Sequence, residues 1–83
     1  MSEQTGREII VYSTPLCTPC EQLKRFLKAN GIAFINKDLM MDADAAELIE
    51  DQNIRTSPVL GVNGTFYAGK ALERENLIAV LGL

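Results

Sequence analysis

An unbroken apolar run, Ile9-Ile10-Val11-Tyr12, is followed by the short loop Ser13-Thr14-Pro15-Leu16, then by Cys17-Thr18-Pro19-Cys20, and then by an amphipathic stretch opening at Glu21. The run from Arg7 to Tyr12 lacks polar alternation, which predicts a strand buried on both faces. Pro15 prevents that strand from continuing in a regular ladder. A helix is predicted from Thr18 to about Asn30, with Cys20, Leu23, Phe26 and Leu27 as its apolar stripe and Glu21, Gln22, Lys24, Arg25 and Lys28 toward water. Pro19 falls in the first turn, where a missing N–H costs nothing. Glu21 precedes Arg25 by four residues, the favourable order for a surface pair. Asn30-Gly31 is a stop signal.

This pattern delivers two cysteines, three apart, to a helix start. Residues i and i+3 lie on one face there, compatible with the ~5.5–6 Å Cα separation that a disulfide prefers. Unpaired backbone N–H groups and the positive end of the helix dipole favour a thiolate over a thiol. The pair therefore reads as a dithiol redox site. A purely structural disulfide fits less well, because the loop it closes is too short to constrain the unfolded chain much. A zinc site needs four ligands, and the chain has two cysteines and no histidine. An iron–sulfur cluster shared between two chains, with an outside thiol as a further ligand, is the remaining metal reading.

Eighty-three residues make one domain, 1–83, and a hydrophobic fraction of 47% is enough for one core without staples. The net charge of −3 is spread along the chain with no basic patch, which argues against nucleic acid. The polar stretch from Met1 to Glu8 followed by only four apolar residues resembles neither a signal peptide nor a membrane span. The expected compartment is the cytosol, where dithiols are held mostly reduced. Residues 1–6 are expected to lie outside regular structure.

Ile32-Ala33-Phe34-Ile35, running into Asn36-Lys37-Asp38, predicts a second strand. With the helix between them, the two strands form a βαβ unit and run parallel, with a right-handed crossover. Asp42 or Asp44 caps a second helix, Asp44 with Glu47 resembling a capping box. Ala45, Leu48 and Ile49 are its apolar positions, and it ends near Asn53. Asn63-Gly64 between Val59-Leu60-Gly61-Val62 and Thr65-Phe66-Tyr67-Ala68 predicts an antiparallel hairpin. A last helix runs from Glu73 to Leu81, with Leu77, Ile78 and Leu81 on one face. The order β-α-β-α-β-β-α gives a compact α/β domain, a four-stranded mixed sheet with helices on both faces. That arrangement resembles the thioredoxin fold in its smallest form.

The stretch from Val11 to Cys20, followed by Glu21-Gln22-Leu23-Lys24, resembles the active-site segment of the glutaredoxins. Thr56-Ser57-Pro58-Val59 resembles their Thr-Val-Pro segment, and the Asn63-Gly64 hairpin and Gly69 fall where that family puts them. The likeness spans about residues 8–82. It implies a cis Pro58, which turns the Ser57 backbone outward beside the cysteines so that an extended thiol substrate can pair with it like an added strand; the alternative is an ordinary trans proline opening an edge strand. It implies substrate-binding roles for Thr56, Ser57, Pro58 and Gly69. Two positions depart from many glutaredoxins, and one absence departs from a related group. Thr14 stands where many glutaredoxins carry Lys or Arg, Lys70 follows Gly69 with Glu73 as the nearest acid, and there is no tryptophan as in the redoxins that serve ribonucleotide reductase.

The implied function is thiol–disulfide oxidoreduction through Cys17 and Cys20, acting on protein disulfides or glutathione mixed disulfides. Cys17 is the expected nucleophile, having the freer access and the closer helix N-terminus, and Cys20 the resolving thiol. No bound cofactor is implied. Glutathione, or a flavin-dependent reductase acting as on a thioredoxin, is the expected electron donor, and a monomer the expected state. The alternatives are an iron–sulfur carrier that dimerises around a cluster and an inert thioredoxin-like binding module. Arg55 and Lys70 are either partners for a glutathione carboxylate or plain surface charges, and Thr18 either tunes the thiolate or is mere surface. Lys24 and Lys28 belong to a solvated face. Tyr12 reads as core or sheet edge, Phe34 and Phe66 as core, and Met40 and Met41 as loop or gap-filling residues.

Overall fold

The computed structural model describes residues 8–83, along which run β1 (Ile9–Ser13), α1 (Thr18–Ala29), β2 (Ile35–Asp38), α2 (Ala43–Asp51), β3 (Val59–Val62), β4 (Thr65–Ala68), a 3₁₀ turn (Gly69–Leu72) and α3 (Arg74–Leu81). The stretch 1–6 and Arg7, the expected first residue of β1, lie outside the described residues. The sheet order is β2–β1–β3–β4. β1 and β2 are parallel, with Ile10 opposite Ile35 and Ser13 opposite Asp38, while β1 and β3 are antiparallel, with Tyr12 opposite Val59. β3 and β4 form the hairpin expected from Asn63-Gly64. Both turn residues have positive φ, 50° and 89°, the pair of values a two-residue turn matched to strand twist requires.

Side chains of a strand alternate between faces, and the core divides accordingly. Ile9, Val11 and Leu60 meet Leu23 and Leu27 of α1 and Leu77 and Leu81 of α3. Tyr12 and Val59 meet Ala45 and Ile49 of α2 on the opposite face. Helices thus cover both faces of the mixed sheet. Tyr12, 2% exposed on a central strand, belongs to the core, and its ring lies 5.9 Å from that of Phe66. Phe34 and Phe66 are half-buried against the core. Among the described residues no helix is long and apolar enough to cross a membrane.

Several expectations need correction. β2 begins at Ile35, not Ile32, because the chain leaving α1 first closes on it: the Ile32 N–H donates to the Leu27 carbonyl at 2.9 Å. Of the two caps expected for α2, Asp42 is the one that holds, its carboxylate accepting from the Ala45 N–H at 3.0 Å. Glu21 pairs with Lys24 one turn on, at 2.9 Å, instead of with Arg25. Leu48 and Ile78, placed among the buried positions by periodicity, are each 39% exposed. The last helix begins at Arg74 with Glu73 as its cap residue, and the 3₁₀ turn precedes it. Met40 and Met41 follow the first of their two readings, as loop residues on an exposed turn.

Candidate active site

Cys17 is the residue that caps α1. Its backbone is still extended, at φ −116° and ψ 104°, and its Sγ accepts from the Cys20 N–H at 3.2 Å. A sulfur occupies the position a serine or aspartate oxygen usually takes at a helix start. Cys17 and Cys20 are joined by a disulfide across a Cα–Cα distance of 5.2 Å. Their surroundings differ. Cys20 is fully buried on the inner face of α1, whereas Cys17 is part-exposed beside Leu16, which has φ 56° and stands wholly in solvent. An incoming sulfur atom therefore meets Cys17 first. Thr18 is exposed and Pro19 occupies the first turn.

The second half of the site comes from the segment entering β3. The Ser57–Pro58 peptide bond is cis, and β3 is an inner strand, so the reading of Pro58 as a trans residue opening an edge strand does not hold. The pairing of Tyr12 with Val59 brings Pro58 to the same end of the sheet as the loop leaving β1. There the Ser57 hydroxyl lies 3.0 Å from the Thr14 hydroxyl and 3.9 Å from Cys17 Sγ.

Beside this junction runs an open groove of about 420 Å³. Thr56, Ser57, Pro58 and Gly69, the four residues singled out for substrate binding, all line it. Gly69 has φ 62°, a conformation that favours glycine, where β4 gives way to the 3₁₀ turn. Pro19, Leu23, Phe26, Leu72 and Leu77 make the wall apolar, and Gln22, Glu73 and Arg74 supply its polar rim. Sequence reasoning did not find Gln22 or Arg74 as rim residues. Their signal was only the placement of two helix starts at one end of the fold. Arg55 borders a second hollow of about 280 Å³, with Thr14, Glu50 and Ser57, while Lys70 lines neither.

The electrostatics are mild. Glu21, one turn along α1 from Cys17, is held below its ordinary value by the hydrogen bond and charge of Lys24, with smaller help from Arg25 and Lys28. Burial, reinforced by Glu8 and Asp42, raises the Tyr12 phenol above its ordinary 10.0. Among the described residues no three His, Cys, Asp or Glu side chains are grouped to hold a metal ion.

The glutaredoxin family model matches residues 9–67. An uncharacterised glutaredoxin-like 8.6 kDa protein in the rubredoxin operon of Clostridium pasteurianum is 29% identical over 62 residues, covering 74% of this chain and 83% of its own. The crystal structure of the thioredoxin-like protein BC3987 superposes with a TM-score of 0.77 at 34% identity, over 88% of this chain and 99% of that one. The NrdH-redoxin from Escherichia coli shares the fold, with a TM-score of 0.74 at 24% identity over 86% of this chain and 93% of its own.

Proposed function

Because the chain belongs to the glutaredoxin family, whose members are thiol oxidoreductases, we propose that it reduces protein disulfides or glutathione mixed disulfides through Cys17 and Cys20. The observation that carries this reading is the asymmetric pair at the start of α1, with Cys17 part-exposed and Cys20 fully buried 5.2 Å away between Cα atoms. The Cys17 thiolate attacks one sulfur of the substrate disulfide, and the other sulfur departs as a thiolate and takes up a proton. Cys20 then loses its proton and attacks Cys17 Sγ. This forms the Cys17–Cys20 disulfide and releases the second substrate sulfur as a thiol. Two electrons have passed to the substrate, and a donor must return them. The Cys20 N–H and the dipole of α1 favour the Cys17 thiolate in both directions.

Thr56, Ser57, Pro58 and Gly69 hold the substrate alongside the pair, the backbone at Ser57 offering an extended segment its hydrogen bonds. Residues 1–83 act as one monomeric redoxin domain in the cytosol, with glutathione or a flavin-dependent reductase as donor. The deciding experiment oxidises the protein and times its re-reduction in two arms, one with glutathione and glutathione reductase, the other with thioredoxin reductase, each with NADPH. Rapid reduction in the first arm assigns glutathione to the groove; rapid reduction in the second alone assigns the flavoenzyme. Failure in both, or full insulin reduction by Cys17→Ser, sinks the reading.

A further inference from the structure

Ser57 and Thr14 lie 43 residues apart, and their hydroxyls form a hydrogen bond of 3.0 Å. Ser57 also reaches 3.9 Å from Cys17 Sγ, which already accepts from the Cys20 N–H at 3.2 Å. A hydroxyl carries one proton and two acceptor lone pairs. If Ser57 gives its proton to sulfur, Thr14 must give its own to Ser57, so the three groups form one directed chain, Thr14 to Ser57 to Cys17. We propose that Ser57 is a catalytic residue of this redoxin, donating a hydrogen bond to the Cys17 thiolate, and that Thr14 is the positioning residue that fixes the direction of that donation. The inference deepens the redox reading above and rests on Cys17 being the attacking thiol.

The chemistry follows from charge. In the disulfide, Cys17 Sγ is neutral and a weak acceptor. Once the disulfide is reduced and Cys17 ionises, its sulfur carries a full negative charge, and a hydrogen bond to an ion is roughly twice as strong as one between neutral groups. Ser57 thus favours the thiolate both as attacking group and as the group that leaves when a donor reopens the disulfide. The charged side chains around the junction come in opposed sets. Glu21 and Arg25 border the surface of Cys17, with Glu21 already paired to Lys24 at 2.9 Å; Glu50 and Arg55 border Thr14 and Ser57; Glu73 and Arg74 border Ser57 from the groove. Among the described residues the polar contacts of Cys17 Sγ are the neutral Cys20 N–H and the neutral Ser57 hydroxyl. Removing Ser57 therefore removes half of that sulfur's hydrogen-bonding partners.

The test is the pH–rate profile of the reduced full-length protein against a small uncharged dipyridyl disulfide, which needs an accessible thiol and no protein substrate. It therefore reads the thiol even if reduction of protein disulfides fails altogether. Loss of one hydrogen bond to an ion is expected to raise the Cys17 midpoint by about one pH unit in Ser57→Ala. The thiolate fraction near neutral pH then falls up to about tenfold, while the more basic thiolate is about threefold more nucleophilic. The variant should be up to about threefold slower at neutral pH and about threefold faster above both midpoints, so that the two profiles cross. Ser57→Thr should restore the wild-type midpoint, and Thr14→Val should raise it by less than Ser57→Ala does. A Ser57→Ala profile with an unchanged midpoint, or one lowered by a constant factor at every pH as misfolding would give, overturns the proposal. A Thr14→Val profile identical to wild type removes Thr14 from it.

Discussion

Under α1 and α3 the sheet buries seven apolar side chains, with Leu27 and Leu60 fully enclosed, whereas under α2 it buries four. The second face is covered by a nine-residue helix, and each face borders a hollow, the groove of about 420 Å³ lined by Leu23 and Leu77 on the first and one of about 290 Å³ lined by Ile10, Tyr12, Leu48 and Phe66 on the second. The helix that presents the cysteines is thus seated on the better-packed face. A short helix suffices for the other, which meets the site at the hollow bordered by Thr14 and Ser57. The lesson is that the redox helix is held by the larger set of buried side chains, mostly leucines, while the opposite layer rests on fewer and leaves slack beside the Tyr12 ring.

Substitutions that remove volume from each layer test this directly. Leu27→Ala, at a position with no exposure and neighbours on every side, should cost about 3–5 kcal/mol in denaturant unfolding, the upper part of the range for such truncations. Ile49→Ala, beneath the thinner cover, should cost about 2–3 kcal/mol, because the site can partly collapse. Equal losses from the two would erase the distinction. Smaller still should be Asp42→Ala, at about 1 kcal/mol, since α2 loses the carboxylate that holds its Ala45 N–H. Thermal unfolding with α2 helicity followed by circular dichroism measures it.

Gly61→Ala probes the slack itself. An added Cβ would stand 3.3 Å from the Tyr12 ring, so the ring must shift a few tenths of an ångström. With the hollow beside it the ring can move, and the expected loss is below about 1 kcal/mol; a loss of about 1–3 kcal/mol, the usual cost of overpacking, would mean the face is as rigid as its opposite. The smallest effect is alkaline. Burial raises the Tyr12 phenol above its unfolded value of 10.0, so its contribution is full below pH 10.0 and is lost as pH rises through the folded value, where the unfolded chain ionises first. Thermal midpoints should fall more steeply above that pH in the wild type than in Tyr12→Phe.

Periodicity and turn chemistry made most of this architecture legible. Asn63-Gly64 set the hairpin, Pro19 and Asn30-Gly31 bracketed α1, and the cysteines marked its start. β2 was misplaced because the residues after a helix can be apolar for reasons other than strand pairing: Ile32 and Phe34 pack against the core of α1 while the chain is still turning. The strand itself, an edge with Ile35 53% exposed, carries little apolar signal. In the site, Cys17, Cys20 and the Ser57–Pro58 segment stood out as short motifs. The hydroxyl of Thr14 and the rim residue Arg74 did not, since their proximity to Ser57 arises only from the register of β1 with β3 and the turn before α3.

That register also orders events in time. The two thiols lie three residues apart and need only α1 to face each other, but Ser57 stands 40 residues from Cys17 and meets it only after β1 has closed on β3. Local contacts form early in a folding chain and distant ones late, because the longer loop must be closed first. A nascent chain therefore carries its thiols before it carries their hydroxyl partner, and the final reactivity of the pair arrives with the last long-range pairing.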